Sequence, residues 1–176
     1  MGKDKIDTLG GQVCPVCAKK TLTLTESEME VPYFGTLLIF GMNCSDCGFK
    51  KGDVEAAEQK EPSKWTFEVA STKDLSVRVV KSSEGTVKLG NIGSIEPGPS
   101  SEGYVTNVEG LITRIKEQVE HLRDAAEEEE DKEKARNVLK KILRVFGGND
   151  ALKITIEDPS GNSAIISEKA KKEKLK

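Results

Sequence analysis

Several short stretches of the chain alternate apolar and polar residues, which is the pattern of strands with one buried face. The clearest are residues 21–25 (TLTLT), 64–70 (KWTFEVA), 75–81 (LSVRVVK) and 151–157 (ALKITIE). A continuous apolar run, TLLIFG at residues 36–41, and two short stretches at 87–89 and 92–95 are further strand candidates. The pattern therefore predicts a mostly β fold.

The apolar spacing changes to three and four residues between about 106 and 147, which predicts two amphipathic helices. The first helix is expected to begin with a capping box, with Thr106 as N-cap and Glu109 reaching back to it. Gly147 and Gly148 should end the second helix. Five acidic residues, 127–131, lie between the two apolar stripes, where they suit the dipole of the second helix. We expect an antiparallel helical hairpin.

Two segments carry strong turn signals. Residues 158–161 (DPSG) fit a type I turn, which would close a last hairpin between 151–157 and 162–166. Residues 96–103 (EPGPSSEG) exclude a helix or a central strand and form either fixed architecture or a binding surface.

These elements suggest a chain of two units. Residues 1–60, which hold two CxxC pairs, are predicted to be a zinc ribbon. Residues 61–167 are predicted to be a compact β-rich domain, barrel-like or sandwich-like, that carries the helical hairpin. Residues 168–176 are rich in lysine and have no core to join, so we expect a disordered basic tail.

Four cysteines carry the clearest chemistry: Cys14, Cys17, Cys44 and Cys47 form two CxxC pairs. Two such pairs at ribbon spacing predict one structural Zn²⁺ held by four thiolates. Gly48, directly after the second pair, suits a turn with positive φ. Redox-active CxxC motifs and an iron–sulfur site are the competing interpretations; the first lacks its usual βαβ context and the second usually has other spacings.

The charge and the absence of several motifs argue against three classes of protein: nucleic-acid-binding proteins, membrane proteins and enzymes. The formal net charge is -3, and residues 1–60 hold seven lysines against nine acidic residues, the wrong sign for binding driven by phosphate contacts. No apolar stretch approaches the roughly 20 residues of a membrane span, and no secretory signal is visible, so we expect a cytoplasmic protein. No Walker loop, GxGxxG, HExxH or nucleophile elbow is present, so we expect no enzyme activity.

The motifs together resemble the ZPR-type zinc finger family over about residues 10 to 166. The resemblance rests on the two CxxC pairs, the VPYFG segment between them, and downstream segments reading WTFEV, RVVKS, IEPGP, YVTNVEG and DPSGNS. Eukaryotic members carry two zinc fingers, whereas this chain has one cysteine quartet and is similar to a short archaeal form.

The resemblance implies a protein-binding role: the family's eukaryotic protein binds translation elongation factor one-alpha and assists its folding. Tyr33, Phe34 and Phe40 are candidate contact residues because a small ribbon cannot bury every aromatic, although they could instead form the ribbon's own core. Glu96 and Tyr104, in two of the signature segments, are further candidates. The alternative is a nucleic-acid-binding zinc ribbon of the transcription or translation machinery.

Overall fold

A computed structural model describes residues 6–32 and 34–175. Its N-terminal unit is an antiparallel sheet of strands β1 (Ile6–Gln12), β2 (Leu22–Val31), β3 (Gly35–Cys44) and β4 (Lys50–Ala56), in the order β1-β2-β3-β4. The strand candidates at residues 21–25 and 36–41 correspond to β2 and β3, which pair as a hairpin at its centre. Sequence reasoning missed β1 and β4 because β1 is almost wholly exposed, β4 has a single buried side chain, Val54, and neither carries a clear apolar alternation.

The second unit holds eight strands, a short 3-10 helix and two α-helices. In chain order the elements are β5 (Ser63–Val69), the 3-10 helix (Thr72–Ser76), β6 (Arg78–Lys81), β7 (Thr86–Leu89), β8 (Gly93–Ile95), β9 (Tyr104–Asn107), α1 (Val108–Ala125), α2 (Glu129–Phe146), β10 (Leu152–Asp158), β11 (Ala164–Ile166) and β12 (Lys171–Lys174). One sheet has the order β12-β5-β10-β7-β8 and the other β11-β6-β9, with every pairing antiparallel. This arrangement confirms the β-rich domain with a helical hairpin.

The main core lies between the five-stranded sheet and the helices. Phe67, Ile154 and Ile156 point into it from the sheet, and Leu111 and Ile142 from α1 and α2. Aromatic residues are few, so the core is built mainly from Val, Ile and Leu, as the sequence implies.

The predicted hairpin of residues 151–157 with 162–166 is wrong. The turn itself forms, with the Gly161 N–H donating to the Asp158 carbonyl at 3.3 Å, but β10 pairs with β5 and β7 while β11 pairs with β6 in the other sheet. The buried Asp158 carboxylate accepts hydrogen bonds from Ser160 and Ser163, which bends the chain out of the first sheet.

The expected disordered tail is also wrong for residues 171–174. These residues form β12, which pairs with β5 in the register Lys171 with Thr66 and Lys174 with Ser63. All four side chains of β12 are exposed, so the segment carries no apolar pattern. Its order comes from backbone pairing with β5, whose outer edge would otherwise be open.

Helix boundaries differ from expectation by one residue at the start of α1. The N-cap is Asn107, whose side-chain oxygen accepts from the Gly110 N–H at 2.8 Å, and not Thr106. Thr106 is still part of β9, paired with Val79. At the end of α2, Gly147 donates to the Leu143 carbonyl, which confirms the predicted glycine terminus.

A small apolar cluster joins the two units. Val31, Leu37 and Val54 of the ribbon pack with Val80 and Ala164 of the second unit. Hydrogen bonds close both sides of this contact: the Asp53 carboxylate accepts from the hydroxyl of Ser83 at 2.8 Å, and the Asn162 side chain accepts from the Ala56 N–H at 3.1 Å.

The loop at residues 96–103 ends against the ribbon. The Gly103 N–H donates to the Gly52 carbonyl at 3.2 Å. A Cβ at Gly103 would lie 2.7 Å from the Val54 nitrogen and would also collide with the Asp53 carboxylate, so this close approach needs a glycine. At this end the loop serves as architecture.

Candidate functional site

The metal centre is built from two similar turns at one end of the ribbon. In the first, the Ala18 N–H donates to the Cys14 carbonyl at 2.9 Å; in the second, the Gly48 N–H donates to the Cys44 carbonyl at 3.1 Å. The residue after each pair has positive φ, 59° at Ala18 and 73° at Gly48, which confirms the role predicted for Gly48.

The four sulfurs have the geometry that zinc requires. All four Sγ atoms lie within 4.8 Å of one another. The Cys14–Cys47 and Cys17–Cys44 Sγ distances are both 3.7 Å. A tetrahedron with Zn–S bonds of about 2.3 Å has edges of about 3.8 Å, whereas a disulfide needs about 2.05 Å. The residues therefore fit one Zn²⁺ with four thiolate ligands.

Electrostatics at the quartet favour a cation. The backbone N–H of Cys47 and the hydroxyl of Thr21, 3.2 Å from the sulfur, lower the pKa of Cys44 to about 6. At Cys47 the Phe49 N–H favours the thiolate, but burial and the neighbouring sulfurs outweigh it and raise the pKa of Cys47 to about 12. Four clustered thiolates repel one another, and a bound divalent cation offsets that repulsion.

Contacts with the ribbon support the site on one side. Cys14 and Cys44 are each 1% exposed and pack with Leu22, whereas Cys17 is half-buried and Cys47 is exposed. A salt bridge of 2.8 Å between Lys19 and Asp46 links the two turns. With four protein ligands, the metal keeps no open position for substrate, so its role is to hold this end of the ribbon together.

Comparison with known proteins agrees with this geometry. The family model of the ZPR1 zinc-finger domain matches residues 7–62, and that of the ZPR1 jelly-roll domain matches residues 73–176. The chain belongs to the ZPR1 family.

Archaeal and eukaryotic relatives differ in how much of them the chain covers. A ZPR1-like protein of Pyrococcus horikoshii is 41% identical, covering 98% of this chain and 79% of the relative, and one of Methanocaldococcus jannaschii is 38% identical, covering 92% and 83%. A zinc finger chaperone of Schizosaccharomyces pombe is 32% identical over 87% of this chain, but only 34% of that protein is matched. The resemblance to a short archaeal form is thereby confirmed.

The ribbon presents an apolar surface on the sheet side that lies away from the second unit. Leu9 is opposite Leu24, and Leu24 is opposite Met42, so all three side chains lie on one face. Together with Phe40 they form the apolar part of a shallow depression of about 290 Å³, which Asp7 and Glu26 also line. Leu9 is 57% exposed and Met42 is 39% exposed. We call Leu9, Leu24, Phe40 and Met42 the outer face.

The residues predicted to contact a partner lie in different environments in the structure. Phe40 lies in the outer face, whereas Phe34 is only 7% exposed and packs in the cluster that joins the two units, so it serves the protein's own core. Tyr33 lies outside the described residues. Glu96 is exposed and accepts from the Ser94 hydroxyl at 3.2 Å. Tyr104 is half-buried beneath Arg114, and partner binding by these residues stays a prediction.

Sequence reasoning missed Leu9, Leu24 and Met42. Leu24 was visible as part of the TLTLT alternation, but its exposure depends on which face of the sheet the second unit covers.

None of the helices in the described part of the chain has the length and apolar content needed to cross a membrane.

Proposed function

We propose that the protein binds translation elongation factor one-alpha through the outer face of its ribbon and assists the folding of that GTPase. Family membership supports a protein-binding role, and the Schizosaccharomyces pombe relative is named a zinc finger chaperone. The observation that carries the proposal is the exposed apolar outer face beside the metal centre.

Physical chemistry favours such a face as a docking surface. Leu9 and Met42 keep apolar area in contact with water, and contiguous apolar patches on soluble domains mark interaction sites. The strands that carry the face run directly into the cysteine turns: Met42 is two residues before Cys44. Zinc would hold these strands rigid, which lowers the conformational entropy lost on binding.

The proposed role requires no reaction at the metal, because its four ligand positions belong to cysteine thiolates. We therefore propose a binding protein without enzymatic activity, acting in the cytoplasm where its partner would be synthesised.

Calorimetric titration with purified elongation factor one-alpha tests the proposal. The zinc-loaded wild type should bind saturably. The double variant Leu9→Ser with Met42→Gln should bind at least tenfold more weakly, because two apolar side chains lose the area that they bury in the complex. Leu143→Gln is the matched control: Leu143 is also exposed, but lies on α2 and outside the outer face.

Two results would contradict the proposal. If the wild type shows no binding, the partner is wrong. If the double variant and the Leu143→Gln control bind as tightly as the wild type, the outer face is not the contact surface.

A further inference from the structure

A second cavity, in the β-rich unit and separate from the ribbon, has a volume of about 550 Å³. It lies where α1 passes β8 and the end of the loop at residues 96–103. This volume falls in the range of ligand pockets in proteins, roughly 300–1,000 Å³. Its polar lining includes Lys81, Tyr104 and Arg114.

Lys81 is an unusual residue for such a wall. It is 1% exposed, yet within the described residues its ammonium donates a single hydrogen bond, to the Ser82 carbonyl at 2.9 Å. Within the described residues no carboxylate lies within salt-bridge distance of it. A lysine ammonium has three donors, and buried charges in proteins are normally paired. Lys81 thus has donor capacity that nothing described in the chain uses.

Tyr104 shows the same deficit beside Lys81. The register of β6 and β9 places Tyr104 directly opposite Lys81, and the Lys81 Nζ lies 5.7 Å from the centre of the Tyr104 ring. The Tyr104 hydroxyl is buried, and no described residue is its hydrogen-bond partner. Buried hydroxyls are usually hydrogen-bonded to protein or to ordered water, so an unpartnered hydroxyl beside a cavity is a candidate contact for a bound group.

Arg114 completes a group of three donors. Arg114 is exposed, its guanidinium carbon lies 4.0 Å from the centre of the same ring, and no residue of the described ranges is its hydrogen-bond or ion-pair partner. A guanidinium offers up to five N–H donors in a planar fork that matches a carboxylate. Three donor groups of different chemistry therefore lie around one aromatic ring, and the single acceptor that the described residues offer them is the Ser82 carbonyl, bonded to Lys81.

The two carboxylates nearest to Lys81, those of Asp158 and Asp53, do not accept hydrogen bonds from these donors. Asp158 is engaged by the hydroxyls of Ser82, Ser160 and Ser163, and Asp53 by Ser83. Burial lowers the pKa of Lys81, and the attraction of these two carboxylates only partly opposes it. Burial likewise raises the pKa of Tyr104, which keeps its hydroxyl a proton donor.

Two acidic residues, Glu102 and Glu117, also line the cavity, but both are exposed. Their charges are screened by solvent, whereas that of the buried Lys81 is not.

The remaining wall is apolar. The stripe of α1 that is buried at Leu111 and Ile115 continues beyond the core to Val119 and Leu122, and Leu122 is 68% exposed. Val119, Leu122 and Ile95 line the cavity together with the donors, and Val119 and Leu122 follow Arg114 on α1. A ligand that satisfies both walls carries a carboxylate next to an aliphatic group.

We propose that this cavity binds a peptide segment in which an acidic side chain lies next to an aliphatic one, with the carboxylate received by Lys81, Tyr104 and Arg114. The site is separate from the outer face of the ribbon, and its proposed occupant is a segment of a partner protein.

A titration followed by amide NMR tests the proposal on the zinc-loaded full chain. The probe is the peptide acetyl-Ile-Asp-Leu-amide, with acetyl-Ile-Asn-Leu-amide and inorganic phosphate as parallel arms. The aspartate peptide should produce saturable shifts at Lys81, Tyr104 and Arg114. The asparagine peptide should bind at least tenfold more weakly, and phosphate should not saturate the site because it has no aliphatic part.

Single substitutions test which donor groups contact the peptide carboxylate. Arg114→Gln should weaken peptide binding at least fivefold, while Arg136→Gln on α2, away from the cavity, should leave it unchanged. Tyr104→Phe keeps the ring but removes the hydroxyl, so it should weaken binding without lowering the unfolding midpoint of the free protein.

Three results of the titrations would overturn the proposal: no saturable shift with the aspartate peptide, equal affinity for the asparagine peptide, or saturation by phosphate alone. The proposal is also overturned if Arg114→Gln and Tyr104→Phe each bind the aspartate peptide as tightly as the wild type. Because elongation factor one-alpha is not used, failure here does not bear on the outer face.

Discussion

One residue at the metal centre has a strained backbone conformation. Ala18 and Gly48 hold equivalent positions in the two cysteine turns, and both have positive φ. Only glycine reaches this region without a steric penalty. The two turns are therefore similar in geometry but unequal in strain, with the strain at Ala18.

Replacing Ala18 with glycine should strengthen the metal site. Relief of the left-handed conformation is worth about 1–2 kcal/mol, and the greater freedom of the unfolded chain takes back about 0.4–1 kcal/mol. A net gain of about 0.5–1 kcal/mol corresponds to about twofold to fivefold tighter zinc binding in a chelator competition. Ala126→Gly, at a residue with φ of -67°, is the control and should change nothing. Weaker zinc binding by Ala18→Gly would contradict this reading of the turn.

Asp74 is a second residue with a measurable effect, this time through pH. It is 4% exposed, and the ammonium of Lys169 at 2.8 Å, with the N–H of Ala70 and the hydroxyl of Ser71, lowers the pKa of its carboxyl to about 2. Since the folded pKa lies below the ordinary 3.8, its stabilisation is complete well above pH 4 and is lost as the pH falls towards 2.

Asp74→Asn should therefore cost about 1–2 kcal/mol at pH 7 and much less at pH 2.5. Urea unfolding followed by the fluorescence of Trp65, the single tryptophan, measures both values. Asp124→Asn, at an exposed ion pair with Arg123, should cost less than about 0.5 kcal/mol at either pH. An Asp74→Asn penalty that is equal at pH 7 and pH 2.5 would show that the charge is not responsible.

At the scale of elements, β12 is the clearest case of order without a sequence signal. Its side chains are exposed, and its attachment consists of backbone pairing to β5, the Lys174–Glu61 ion pair and the approach of the Lys172 ammonium to the Trp65 ring at 5.6 Å. Such contacts leave no trace in apolar periodicity, which explains why the sequence suggested a disordered tail.

Deleting residues 171–176 should destabilise the β-rich unit by about 2 kcal/mol, the contribution of a few backbone hydrogen bonds. The emission of Trp65 should shift to longer wavelength, because its ring loses the strand beside it. Changing Lys171, Lys172 and Lys174 to glutamine is the control, which keeps the backbone pairing and should cost less than about 0.5 kcal/mol. Deletion without loss of stability would mean that β12 does not contribute to the fold.

The features that the sequence predicted correctly are those set by local spacing of residues along the chain. Cysteine spacing identified the metal ligands, and three- and four-residue periodicity identified α1 and α2 because helix positions are set by local contacts. The partners of β10 and β11 were not predictable, because they depend on the bend at Asp158 and on pairings with strands about 80 residues away. The outer face could not be recognised either, since exposure depends on how the two units pack.

At the scale of the whole molecule, the ribbon and the β-rich unit have separate cores joined by one small cluster. Zinc organises only the ribbon. Removing it with a chelator should abolish the amide-exchange protection of the cysteine turns and weaken that of Leu37 and Val54, while Phe67 and Ile154 stay protected. Loss of protection throughout the chain in a single step would contradict this division.

The central claim is that the zinc-supported outer face assists the folding of another protein. It is tested most directly by the refolding yield of chemically unfolded elongation factor one-alpha, measured as recovered nucleotide binding. The wild type should raise the yield at stoichiometric amounts, Leu143→Gln should do the same, and both Leu9→Ser with Met42→Gln and the zinc-free protein should not. A yield that is unchanged by the wild type, or raised equally by all four proteins, would contradict the account.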